Sequence, residues 1–185
     1  MKRILSIETA TTVCSVAIHE DGKCVAIKEI NEPNAHSEKL TVLIETLLQE
    51  RNLQIADFNA IAISKGPGSY TGLRIGTSVA KGLCYACSLP LITVDTLQAL
   101  ALSCKNAVNN DNADNIYMPM IDARRMECYA AFYARGTESL LQEVRSVAAD
   151  IVEEGIYDNY LDAHEVVFVG DGAEKTRSKL GMHPN

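Results

Sequence analysis

Residues 60–83, Ala-Ile-Ala-Ile-Ser-Lys-Gly-Pro-Gly-Ser-Tyr-Thr-Gly-Leu-Arg-Ile-Gly-Thr-Ser-Val-Ala-Lys-Gly-Leu, constrain the fold more than any other part of the chain. Ala60 to Ser64 is short, apolar and bounded by Gly66-Pro67-Gly68, which reads as a buried strand ending in a tight turn. From Thr71 the period changes. Leu73, Gly76, Thr77, Ala80, Leu83, Cys84 and Cys87 recur at helical spacing and predict a helix over 71–87. Each interior glycine costs a helix about 1 kcal/mol against alanine. A helix that carries Gly72, Gly76 and Ala80 at four-residue steps, and Gly82 besides, must gain from a close approach of backbone, so something packs tightly against it.

Two phosphate-loop readings of this segment fail. A Walker A loop requires Gly-Lys-Ser/Thr four residues after a glycine, and the segment has none; the dinucleotide fingerprint has Thr71 where its third glycine belongs. The turn can still offer backbone N–H groups to an anion at a helix start, or serve only as a tight strand-to-helix connection.

The 185 residues suffice for one domain or two small ones, and 47% hydrophobic content indicates a globular chain with ample core. Glu8 interrupts the N-terminal apolar run before a signal-peptide core forms, and no stretch approaches the ~20 apolar residues of a membrane span. A cytoplasmic protein without membrane contact is expected. The six cysteines, Cys14, Cys24, Cys84, Cys87, Cys104 and Cys128, sit in apolar strand or helix patterns and read as buried free thiols; Cys84-x-x-Cys87 lacks the second pair of a zinc site. With a net charge of −7 and no basic run longer than Arg124-Arg125, the chain lacks the cationic stripe that holds nucleic acid, so any RNA would be gripped by another subunit.

Three strands open the chain, Lys2 to Glu8, Val13 to His19 and Cys24 to Ile30. A helix follows from an N-cap at Ser37 to about Arg51, with Leu40, Leu43, Ile44, Leu47 and Leu48 on one stripe. After the segment 60–87 come a strand at Leu91 to Val94 and a helix that Asp95 caps. The polar stretch 106–115 marks the boundary between an N-terminal lobe, 1–105, and a C-terminal lobe, 116–185. Sliding the chain by 114 positions superposes Ile7 on Ile121, Glu8 on Asp122, Cys14 on Cys128 and Ala17 on Ala131. Val166 to Val169 followed by Gly170-Asp171-Gly172 and a charged helix repeats the strand, glycine loop and helix of the first lobe. The expected fold is a duplicated α/β protein with mixed sheets flanked by helices, its acidic strand ends Glu8 and Asp122 facing a cleft between lobes.

The motifs Ile7-Glu-Thr-Ala-Thr-Thr-Val-Cys-Ser-Val-Ala17, Gly66-Pro-Gly-Ser-Tyr-Thr-Gly-Leu-Arg-Ile-Gly76 and Met120-Ile-Asp-Ala-Arg-Arg125 resemble the TsaB family, formerly YeaZ, over almost the whole chain. The first motif alone resembles the wider actin, hexokinase and Hsp70 superfamily, whose two-lobe ASKHA fold the resemblance implies. It also implies a subunit that works with TsaD, TsaE and the precursor-making TsaC to place threonylcarbamoyl on N6 of adenosine 37 of tRNA. In that system TsaD is the catalyst, the complex uses ATP, and this chain binds no cofactor by itself. The sister catalytic family carries two metal-binding histidines whose matching positions here are Thr96 and Leu100, and no pair of histidines in this chain has H-x-x-x-H spacing.

The stripe Leu40, Leu43, Ile44, Leu47 and Leu48 reads for the most part as core; residue by residue, the resemblance implies a partner-docking lobe built on helices 37–51 and 71–87, with Leu40, Leu43, Leu47, Leu73, Arg74, Gly76 and Ala80 contacting TsaD or a second copy of the chain. Glu8, Thr9 and Thr11 occupy the superfamily's first phosphate turn, though Ala10 replaces its glycine. Arg124 stands in the second turn, and Gly170 and Gly172 resemble the adenosine-contacting motif. These six form a candidate nucleotide or anion site. The rival reading is a self-sufficient ATP-dependent small-molecule kinase. A peptidase finds no nucleophile motif with a placed base. Family members continue beyond the second glycine motif, which implies a shorter second lobe here.

Overall fold

The computed structural model describes residues 1–32, 35–107, 115–136 and 141–180, and the chain divides into two compact units, Met1–Asp95 and Thr96–Asn185. In the first, β1 (Arg3–Glu8), β2 (Cys14–Glu20) and β3 (Lys23–Ile30) form an antiparallel meander. It is followed by α1 (Ala35–Glu50), β4 (Ala60–Ser64), α2 (Tyr70–Cys87) and β5 (Leu91–Val94). The sheet order is β3-β2-β1-β4-β5, with β4 parallel to both β1 and β5. Alternation along the strands turns Leu5, Ile7, Val16, Ile18, Ile61 and Ile63 to one face, where they pack with Leu40, Leu43, Ile44 and Leu47 of α1 and Ala80 and Cys84 of α2. One core holds this unit together.

The second unit opens with α3 (Thr96–Ala107). Then come β6 (Ile116–Asp122), β7 (Glu127–Arg135), β8 (Leu141–Ile151), α4 (Asp158–Leu161), β9 (Val166–Val169) and α5 (Asp171–Leu180), in a sheet of order β8-β7-β6-β9. Here β6 is apolar at every position up to Asp122, as a strand covered on both faces must be. Met118, Met120 and Phe132 pack on one side with Tyr157 and Leu161. Tyr117, Ile121 and Tyr133 pack on the other with Leu97 and Ala101 of α3. The order of three antiparallel strands, helix, parallel strand and helix occurs in both units, as the duplication predicts.

Four expectations change. The unit boundary falls between Asp95 and Thr96, ahead of α3, because α3 buries its apolar side against the sheet of the second unit rather than the first. Most of the polar stretch 106–115, and the chain end at 181–185, lie outside the described residues. Helix α1 begins at Ala35, so Ser37 sits within its first turn instead of capping it. Cys24 is exposed on the edge strand β3, while Cys14, Cys84 and Cys128 are buried; all six thiols are free. Strand β8 escapes sequence pattern because most of Leu-Gln-Glu-Val-Arg-Ser-Val-Ala-Ala-Asp-Ile is exposed at the sheet edge and carries no alternation.

What anchors β8 is polar. Arg145 grips buried Asp150 with two bonds of 2.7 and 2.5 Å while lying 5.4 Å above the Phe132 ring. The Tyr157 hydroxyl donates to the same carboxylate at 2.9 Å, and burial together with that carboxylate pushes the phenol pKa well up. Asp150→Ala would strand both donors. Because Arg145 keeps some solvent access, the expected cost is about 2 kcal/mol, below the range for a fully buried pair, as read from urea denaturation.

Candidate functional site

The strand end Glu8, the turn after it and the start of α2 form one packed assembly. Ala10 N–H donates to Glu8 Oε1 at 2.6 Å, Ser64 Oγ donates to Glu8 Oε2, and Ser69 N–H donates to the Ala10 carbonyl at 2.6 Å. Ser69 also caps α2 by accepting from Gly72 N–H at 3.2 Å. The glycines explain how the helix comes so close. A Cβ on Gly72 would overlap the Thr9 carbonyl oxygen; one on Gly76 would overlap Thr9 Oγ1 and lie 3.0 Å from Ile63 Cδ1. Gly68 is held likewise, 2.7 Å from the Ala10 Cβ by the same measure. The close backbone approach that Gly72 and Gly76 demand is therefore met by the chain's own first turn, whereas Gly82 faces open space.

That result revises the sequence-based site. Thr9 is wholly buried and its hydroxyl has no hydrogen-bond partner among the described residues, so it cannot meet a ligand from solvent. Both Glu8 oxygens are committed within the chain; Thr11 stays half-buried. Of the docking residues, Leu40, Leu43, Leu47, Gly76 and Ala80 lie in the core of the first unit, because the apolar stripes of α1 and α2 face the sheet and each other. Leu73 is half-buried. Only Arg74 is exposed, with its guanidinium 5.2 Å over the Tyr70 ring and Nη1 donating to the Tyr70 hydroxyl at 3.1 Å.

The outward face of α2 was missed. Tyr70, Arg74, Ser78, Lys81 and Tyr85, at steps of four, four, three and four, all project to solvent, with Tyr70 74% and Tyr85 92% exposed. Val42 of α1 is 51% exposed. Between the helices runs a groove of about 350 Å³ lined by Ile44, Leu48, Leu53, Val79 and Leu83. A second periodic reading of α2, for tyrosines in place of small residues, would have found this face.

In the second unit the glycine motif does the same mechanical work. Gly170, at φ +102°, lets the strand-to-helix turn pass where a Cβ would overlap the Met120 carbonyl oxygen and lie 2.9 Å from Leu100 Cδ2. A Cβ on Gly172 would lie 2.9 Å from the Met120 carbonyl carbon and 3.0 Å from Cys128 Sγ. In both, the space a side chain would need is filled from within the unit. Above them, Asp122 accepts from Lys175 Nζ at 2.5 Å and from Arg124 N–H at 2.7 Å, and its own N–H donates to Asp171 at 3.0 Å. The Lys175 bond holds the Asp122 carboxyl below the usual carboxylate range. Arg124 and Arg125 are exposed and adopt left-handed backbone, at φ +72° and +47°. Among the described residues no group of three or more His, Cys, Asp or Glu side chains is placed to hold a metal ion.

Glycine-bearing helices seated against the end of each unit's first strand, which closes on an acidic residue, define a duplicated α/β protein with mixed sheets flanked by helices. The family described as TsaD, tRNA N6-adenosine threonylcarbamoyltransferase, matches residues 30–178. The TsaB protein of Escherichia coli K12, named for tRNA threonylcarbamoyladenosine biosynthesis, is 39% identical over 133 residues, 72% of this chain and 55% of that one. The Bacillus subtilis TsaB is 30% identical over 141 residues, 76% of this chain and 58% of that one. Among solved structures, YeaZ from Pseudomonas aeruginosa shows 28% identity and a TM-score of 0.72 over 82% of this chain and 68% of its own. Another from that organism, described as similar to peptidase YeaZ, shows 27% identity and a TM-score of 0.84 over 100% and 82%. The chain belongs to the TsaD-type family, in its TsaB (YeaZ) branch, and spans about half the length of the curated relatives it matches.

The two exposed and unexposed glycines of α2 give a paired test. Gly76→Val is expected to destabilise by more than about 2 kcal/mol through overpacking against Thr9. Gly82→Ala, where a Cβ meets nothing within 4 Å, should stabilise by roughly 0.5–1 kcal/mol, both read from urea midpoints. For Asp122, a carboxyl pKa lowered by folding contributes stability that is present above the unfolded value and lost as pH falls through the folded one. Lys175→Met should therefore raise the Asp122 pKa toward 3.8 in an NMR titration, and its destabilisation should be seen at neutral pH and fade in acid.

Proposed function

We propose that the chain is a non-catalytic binding subunit for threonylcarbamoylation of N6 of adenosine 37 in tRNA, and that it docks and activates the catalytic TsaD through the outer face of α1 and α2. The observation that carries this reading is the exposure of Tyr70, Arg74 and Tyr85 on one helix face. Tyrosine and arginine dominate binding hot spots because they bury much area and retain polar handles. Helices of an equivalent partner lobe, or of a second copy of the chain, would lay their own faces there, so homodimerisation competes with TsaD for the same surface. TsaE completes the complex, and tRNA is reached only through the complex, in keeping with the net charge of −7.

The non-catalytic part of the proposal is supported by the state of the first turn. A phosphate there would meet a carboxylate whose oxygens are already bonded, a buried Thr9, and Ala10 with its N–H occupied. ATP is used by the assembled complex on this reading. No helix among the described residues is long and apolar enough to cross a membrane, and a cytoplasmic setting is part of the same proposal.

Purified chain, TsaD and TsaE, given tRNA, ATP and the threonylcarbamoyl precursor, should form modified adenosine together while the chain alone forms none. Tyr85→Asp combined with Arg74→Glu should leave the circular dichroism unchanged and lower TsaD affinity at least tenfold, by calorimetry. Unchanged affinity would sink the docking face. Tight ATP–magnesium binding and phosphoryl transfer by the chain alone would instead support the kinase reading.

A further inference from the structure

The last turn of α2 carries two thiols, Cys84 and Cys87, three residues apart on one helix. Side chains at that spacing share a face. The other four cysteines are not paired in this way. Cys14 and Cys24 lie on different strands and out of register, Cys14 opposite Ile30 and Cys24 opposite His19. In the second unit Cys104 packs on one face of the sheet and Cys128 on the other.

The turn that holds the pair is capped directly behind it. Ser88, at φ +54°, and Leu89 both donate their N–H to the Cys84 carbonyl oxygen, the latter at 2.9 Å. Cys84 is 8% exposed with its Sγ 3.7 Å from the Pro90 carbonyl oxygen, whereas Cys87 is half-buried and gives the pair access to solvent. Leu83, Leu89 and Leu91 pack against the core that contains Cys84, so the surroundings are apolar. Burial, with Cys87 nearby, pushes the Cys84 thiol pKa up, which keeps this sulfur protonated until a ligand displaces the proton.

Geometry decides what the two sulfurs can do together. A disulfide needs Cβ atoms about 3.5–4.5 Å apart. Helical neighbours hold theirs at about 5–6 Å, so closing an S–S bond would break the capped turn. Two metal–sulfur bonds of about 2.3 Å each span the wider gap and leave the helix intact. Zinc does not suit the place, because it takes four ligands and among the described residues no group of three or more His, Cys, Asp or Glu side chains is placed to hold an ion. Hard cations require oxygen ligands, while thiolates in apolar surroundings select soft ones.

We infer that Cys84 and Cys87 form a two-thiolate site for a soft monovalent metal cation of the copper(I) type, which clamps the last turn of α2. On binding, each thiol passes its proton to solvent and each sulfur bonds the metal; no electron is transferred, and the cation with its two thiolates carries one negative charge. Tyr85 lies between the two cysteines in sequence, so a filled site stiffens the turn that presents it to solvent. The site does not depend on partner docking and stands whether or not TsaD binds α2.

Copper(I), added without oxygen to the full chain in the presence of bicinchoninate as a competing chelator, should be retained at one equivalent. Cys84→Ser and Cys87→Ser should each lower the affinity by roughly a hundredfold, as when a two-armed ligand is cut to one arm, and Cys24→Ser should change nothing. Serine at Cys84 puts a hydroxyl into the core, so the unaltered chain supplies a second readout. With copper(I) bound, iodoacetamide should spare Cys87 and still alkylate exposed Cys24, by mass spectrometry, and X-ray absorption should show two sulfur neighbours on the metal. No retention, equal retention in all three variants, alkylation of Cys87 indifferent to copper(I), or nitrogen or oxygen ligands on the metal overturns the inference.

Discussion

The seat of α2 on the turn after β1 is the contact on which the first unit depends. It is made possible by what Gly72 and Gly76 lack: with no Cβ, the helix backbone settles against the Thr9 carbonyl and side chain, and Ser69 N–H reaches the Ala10 carbonyl. Glycine weakens a helix, and the gain from close packing on an otherwise unreachable turn offsets that weakness. The second unit reaches the same end by a shorter route, with Gly170 and Gly172 bringing the start of α5 onto Met120. In both, a strand, a glycine turn and a helix are locked to the end of the unit's first strand, which carries an acidic residue whose hydrogen bonds tie turn and sheet together.

Because the small residues of α2 are spent on internal contact, its opposite side faces solvent. Around one helix axis, Gly72, Gly76, Ala80 and Cys84 turn inward and Tyr70, Arg74, Lys81 and Tyr85 outward. The same internal contact closes the first phosphate turn. There the chain is packed onto itself, with Thr9 buried and both Glu8 oxygens bonded within the unit.

Duplication also sets the limits of each unit. The second sheet, apolar throughout β6, is protected from both sides, whereas the first presents small and β-branched side chains on its uncovered face. The difference follows from where α3 goes. Strand β5 belongs to one unit and α3 to the other.

Strand and helix order, the internal repeat, the apolar stripes and the family motifs were legible in the sequence, because periodicity and glycine placement are local properties that report directly on which face of an element is apolar. Sequence also marked the α2 glycines as a place of close approach. It did not say to what. Only the tertiary structure decided that Thr9 and Ala10 fill that place, that Gly76 and Ala80 are used inside the unit, and that α3 belongs with the second sheet. Strand β8 was likewise invisible until Arg145, Asp150 and Phe132 came together. An apolar stripe has the same period whether it is covered by its own chain or by another, and the choice between them lies in contacts between residues far apart in sequence.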